Sequence, residues 1–80
     1  MNDELERIAK DVVDASMKLH KTLGPGLLES VYTVILQRKL QERGYRVDRE
    51  VGIPVEYEGA KFEMGFRADL IVNACFIVEL

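Results

Sequence analysis

Three carboxylates occupy positions where the local pattern could put them to chemical use. Glu29 follows Leu23-Gly24-Pro25-Gly26-Leu27-Leu28, a stretch no continuous helix tolerates, because proline has no amide to donate and glycine costs backbone entropy. One helix should end near Leu23 and another begin near Pro25 or Gly26. Glu29 then falls in or just after the first turn of the second helix, with Tyr32 on the same surface. An acid there complements the helix dipole whatever else it does. Asp69 and Glu79 lie in two segments of strand character. A loop of Asn73, Ala74 and Cys75 sets Leu70 beside Val78 and Val72 beside Phe76, which puts Asp69 opposite Glu79. A loop one residue shorter would put the two acids on opposite faces, and the apolar alternation favours the longer one. Carboxylates side by side repel unless a cation lies between them, and such hard oxygen donors suit Mg2+ or Mn2+. Arg67, on the same strand face as Asp69, is expected to neutralise the acids. The plainer alternative is a pair of hydrated acids at a solvent-facing sheet edge.

The elements that must position these acids are legible from periodicity. Asp3 and Glu6 have capping-box spacing, so the first helix should start near Glu4. Leu5, Ile8, Ala9, Val12, Ala15, Ser16, Leu19 and Leu23 form its apolar stripe. His20, beside that stripe, reads as a histidine favoured by the helix C-terminus, since no second histidine exists to build a site with it. Leu28, Val31, Tyr32, Ile35, Leu36 and Leu40 continue a helical stripe to Arg43, and Gly44 supplies the stop. From Tyr45 the period changes to two. Tyr45, Val47, Val51, Ile53, Val55 and Tyr57 alternate with polar residues, Pro54 demands a bend or bulge, and Glu58-Gly59 signals a turn. Phe62, Met64, Phe66, Ala68, Leu70 and Val72 share the next face, and Cys75 to Leu80 form the last strand. The expected fold is α+β: two N-terminal helices packed on a three-stranded antiparallel β-meander, in the order ααβββ.

Composition bounds the function. Eighty residues make one domain, residues 1–80, with a thin core. The formal charge of -3 disfavours a protein that binds nucleic acid through bulk positive charge, although acidic metal sites carry negative charge by design. Arg38, Lys39, Arg43, Arg46 and Arg49 form a local basic strip, read first as a solvated helix end. Cys75, the single cysteine, excludes an internal disulfide and reads as a buried, inert thiol in a reducing compartment. No apolar run approaches the length of a membrane span and the N-terminus is acidic, so a cytoplasmic location is expected.

Gly26-Leu27-Leu28-Glu29-Ser30-Val31-Tyr32 spells Gly-x-x-Glu-x-x-Tyr. With His20 before it and Arg67-Ala68-Asp69-Leu70 and Val78-Glu79-Leu80 after it, the chain resembles the GxxExxY proteins of the PD-(D/E)XK nuclease superfamily over nearly its whole length. The resemblance implies a partial restriction-endonuclease-like core, a nucleic-acid substrate and a magnesium or manganese site made by Glu29, Asp69 and Glu79 as metal-holding, catalytic acids. In such nucleases the metal polarises the scissile phosphate and activates water. The superfamily pattern is Glu-x-Lys, and the residue after Leu80, where that lysine belongs, is not among these eighty. The expectation is therefore a shortened, inactive member of the family. The alternative from another class is a non-catalytic module that forms a homodimer through its C-terminal edge strand, where Phe76, Ile77 and Val78 would pair with a second chain.

Overall fold

In the computed structural model, which describes residues 3–80, the elements run α1 (Asp3–Leu23), α2 (Glu29–Glu42), β1 (Val47–Tyr57), β2 (Ala60–Val72) and β3 (Phe76–Val78). The strands form one antiparallel sheet in the order β1-β2-β3, so the expected ααβββ architecture holds. Asp3, Glu4 and Glu6 crowd the first turn of α1 and His20 and Lys21 its last, the charge order the helix dipole favours.

The corner is longer than the sequence suggests. Gly24 and Gly26 both adopt positive φ, 70° and 94°, and the Gly24 amide closes on the His20 carbonyl at 2.8 Å. These left-handed positions, which glycine adopts without steric penalty, defer the start of α2 to Glu29, with extended Leu28 as its N-cap. The Tyr32 hydroxyl then donates to the Ser16 carbonyl at 3.1 Å and ties α2 back to α1.

Ile8, Ala15 and Leu19 of α1, Leu36 and Leu40 of α2, and Tyr45, Val47, Leu70, Val72, Phe76 and Val78 make one core. Gln37 secures the layers by donating to the Val47 carbonyl at 2.9 Å. A polar clamp closes the far end. Arg43 donates to Asp11 at 2.8 Å and to Asp14 at 2.7 Å, and the Tyr45 hydroxyl donates to Asp11. The Tyr45 hydroxyl, then Arg43, hold the Asp11 carboxyl below its ordinary value; Arg43, then Lys18, do the same for Asp14. Burial, then Asp11, push the Tyr45 phenol up. Arg43 thus fastens helices, and Lys39 and Arg46 pair with Glu42 and Asp48, so the basic strip is largely spent on structure.

The β2–β3 register is the one the apolar pattern favours, with Leu70 paired to Val78 and Val72 to Phe76. Asn73 and Ala74 turn the chain at positive φ, 50° and 57°, and the Asn73 side chain accepts the Arg46 amide. Two details differ from expectation. β3 stops at Val78, leaving Glu79 beyond the strand, and Cys75 is exposed in the turn, not buried.

A further difference lies in the long hairpin. The register moves from Ile53–Phe66 to Val55–Phe62, so Pro54 alone faces Glu63, Met64 and Gly65. Pro54 has no amide for the ladder, and the extra residues of β2 bulge past it. The bulge reverses one side chain. A Cβ on Gly52 would meet the Met64 thioether, and Gly52 pairs with Arg67, so Met64 lies on the Arg67 face and not with Phe62 and Phe66.

Candidate metal centre

Glu29 starts the inward stripe of α2. It stands one turn before buried Thr33, which is followed at helical spacing by buried Leu36 and Leu40. Thr33 returns its hydroxyl proton to the Glu29 carbonyl at 2.8 Å, which fixes the backbone of that first turn. The carboxylate itself has no ion pair or hydrogen-bond partner among the described residues, and it opens into a cleft of about 440 Å³.

Asp69 reaches the same cleft from β2. Its neighbours Ala68 and Leu70 are wholly buried, so the strand has no freedom to rotate and Asp69 is held at a set position. The Leu80 amide donates to its Oδ2 at 2.8 Å. Continuing the β2–β3 register by one residue puts Glu79 across from Asp69, as the loop length implies, but Glu79 is exposed past the end of β3 and does not line the cleft.

Two residues join the site that the motif does not indicate. Arg49 pairs with Leu70 and Val51 with Ala68, so Glu50 lies across from Asp69. Both Glu50 and Arg49 line the cleft, as does Arg67. Glu50 adopts φ 55°, a conformation that costs a non-glycine residue strain. The signal for Glu50 is its even position in β1, the same alternation that marks Asp69 in β2. Arg67, expected to neutralise the acids, forms no ion pair among the described residues, and neither does Arg49. His20 is exposed at the end of α1 and contributes its carbonyl to the corner.

One family comparison covers most of the chain. The model of the PD-(D/E)XK nuclease superfamily matches residues 6–80. The chain belongs to the PD-(D/E)XK nuclease superfamily. Comparisons with curated proteins and with solved structures returned no match. Within this superfamily chain the donor chemistry suits a hard divalent cation: magnesium commonly takes one or two protein carboxylates and completes its shell with water and phosphate. Glu29 and Asp69 can supply that number. Among the described residues, no three His, Cys, Asp or Glu side chains are gathered to hold a metal ion by themselves. Nor is any helix among them long and apolar enough to cross a membrane.

Proposed function

We propose that this chain is a GxxExxY-type nuclease-superfamily domain that retains an acidic divalent-metal site and does not cleave nucleic acid as an eighty-residue unit. The observation that carries the reading is that Glu29 and Asp69 line one cleft in a chain of this superfamily. Each motif residue also has a local task that supports membership. Gly26 takes the positive φ of the corner, Glu29 opens α2, and Tyr32 pins that helix to α1.

Asp69 and Glu29 would hold the cation, with Glu79 joining from across Asp69; bound there, the ion would polarise a phosphate and lower the pKa of a water. The protein's own contribution is positional. Buried Ala68 and Leu70 fix Asp69, and Thr33 steadies the turn that carries Glu29. Arg49 and Arg67, two guanidiniums without ion-pair partners in the same cleft, are suited to a phosphate of a nucleic-acid strand. The inactivity in this reading rests on the Glu-x-Lys pattern, whose lysine is not among these eighty residues. A single cysteine suits a cytoplasmic setting.

Two measurements test this. Plasmid, single-stranded DNA and RNA incubated with the chain and magnesium or manganese should remain intact; cleavage that disappears in Glu79→Ala would overturn the inactivity. Manganese titrated calorimetrically should give weak heat that is lost in Asp69→Ala and in Glu29→Ala, and unchanged heat in both variants would remove the site. The reading as a module that dimerises through its last strand has one supporting observation, that β3 lies at the sheet edge with Ile77 half exposed.

A further inference from the structure

Among the described residues, Glu50, Glu58, Asn73 and Ala74 take a positive φ without being glycine. Glu58, Asn73 and Ala74 sit in the hairpin turns, where a left-handed residue helps to reverse the chain. Glu50 is the exception. It lies inside β1 at φ 55°, and no residue is inserted there, since Arg49 pairs with Leu70 and Val51 with Ala68 in unbroken register. Neither a turn nor a bulge accounts for its conformation. A glycine would adopt it without steric cost, whereas a glutamate carries strain.

The same position is unfavourable for a second reason. Register puts Glu50 across from Asp69, and like charges facing each other on neighbouring strands destabilise a sheet. Arg49 and Arg67 line the same cleft, yet neither forms an ion pair with Glu50, whose carboxylate has no hydrogen-bond partner among the described residues. With Glu29, Glu50 and Asp69 set against two guanidiniums, the acids that line the cleft outnumber its bases. A cation near Glu50 would offset the repulsion.

We propose, resting on the reading of this cleft as a metal site, that Glu50 is a positioning acid for its divalent cation, acting from β1 through the water the ion retains. Glu29 and Glu50 are exposed and Asp69 is half-buried, and no three acids among the described residues are gathered to clasp an ion directly. Magnesium keeps several waters in a site of that kind, and acids of the outer shell accept hydrogen bonds from the groups around the ion. Glu50 has the place for this role. Glu79 lies past the end of β3 and does not line the cleft, so its contribution is the smaller of the two.

Manganese binding to the eighty-residue chain, followed by calorimetry and by the paramagnetic resonance of the ion, is the test. Glu50→Gln, which keeps the size of the side chain, should weaken manganese binding about tenfold, the loss typical of an outer-shell partner. Glu79→Gln should weaken it less, and Glu56→Gln, at the far end of β1, should leave it unchanged. Glu50→Asp restores the charge and should recover most of the affinity. Without manganese, Glu50→Gly should melt at a higher temperature than the parent chain, because it relieves both strain and repulsion, yet it should bind manganese as poorly as Glu50→Gln. Unchanged affinity in Glu50→Gln, or a larger loss in Glu79→Gln, would overturn the role of Glu50 and leave the metal site standing. No manganese heat from the parent chain would overturn the site and the role of Glu50 with it.

Discussion

The two halves of β2 carry the same alternation and meet opposite fates. From Ala68 to Val72 the even positions Ala68, Leu70 and Val72 are wholly buried under α1 and α2, whereas Phe62 and Phe66, on the same face of the same strand, are more than half exposed. Alternation specifies which face of a strand is apolar; it carries no information about what covers that face. The covered half holds the molecule together.

That contrast makes truncation in the covered half the most damaging kind of change, with Leu70→Ala its clearest case. Leu70 is wholly buried at the centre of the core, so its truncation should cost about 2 to 5 kcal/mol in urea unfolding. Phe66→Ala removes a larger side chain and should cost less than about 0.5 kcal/mol in dilute monomer, because the ring is already mostly in water. Equal costs for the two would erase the distinction between the halves.

The arm is not uniformly tolerant. Gly65 sits at the bulge where a Cβ would overlap the Val55 side chain, so Gly65→Ala should cost about 1 to 3 kcal/mol, and Val55→Ala in the same chain should recover part of it. A loss in Gly65→Ala that Val55→Ala does not relieve would place the strain elsewhere. In the covered half, Ala74 turns the β2–β3 loop at φ 57°, where a Cβ is unfavourable. Ala74→Gly should therefore stabilise the chain by about 1 kcal/mol in thermal unfolding.

The clamp that closes the covered half should show itself in the pH dependence. Asp11 and Asp14 have folded pKa values below their ordinary ones, so their stabilisation is fully present above the usual carboxylate range and lost as pH falls through the lowered folded values. Tyr45 is shifted up, so its contribution is present below its ordinary pKa and lost as pH rises through the raised one. Both acids are substantially exposed and solvent screens them, so the effect is modest: Arg43→Met should lower the melting temperature by a few degrees at neutral pH and flatten the acid limb. An acid limb unchanged in Arg43→Met would detach the clamp from stability.

The candidate site is partly readable in the sequence because its motif is local. Gly26, Glu29 and Tyr32 lie within seven residues: Gly26 supplies a positive φ, the Glu29 carbonyl accepts from Thr33, and Tyr32 reaches the adjacent helix. Asp69 is readable because Ala68 and Leu70 alternate around it. Glu79 is less so, since the apolar run to Leu80 suggests a longer strand than the three residues that pair. Glu50 and Arg49 are not legible as site residues, because strand position alone does not reveal that β1 shares a cleft with the start of α2.

By itself the sequence determined the order and type of the elements, the turns at Glu58-Gly59 and Asn73-Ala74, and the register that faces Leu70 with Val78. These follow from backbone permissions and side-chain period, which act over a few residues. Only the tertiary structure decided which half of β2 is roofed, that Cys75 faces solvent, that Met64 changes sides at the bulge, and that Glu29 and Asp69 open into one cleft. Those outcomes depend on helix lengths, on the angle at the Gly24–Gly26 corner and on what packs from far along the chain, and no local pattern encodes them.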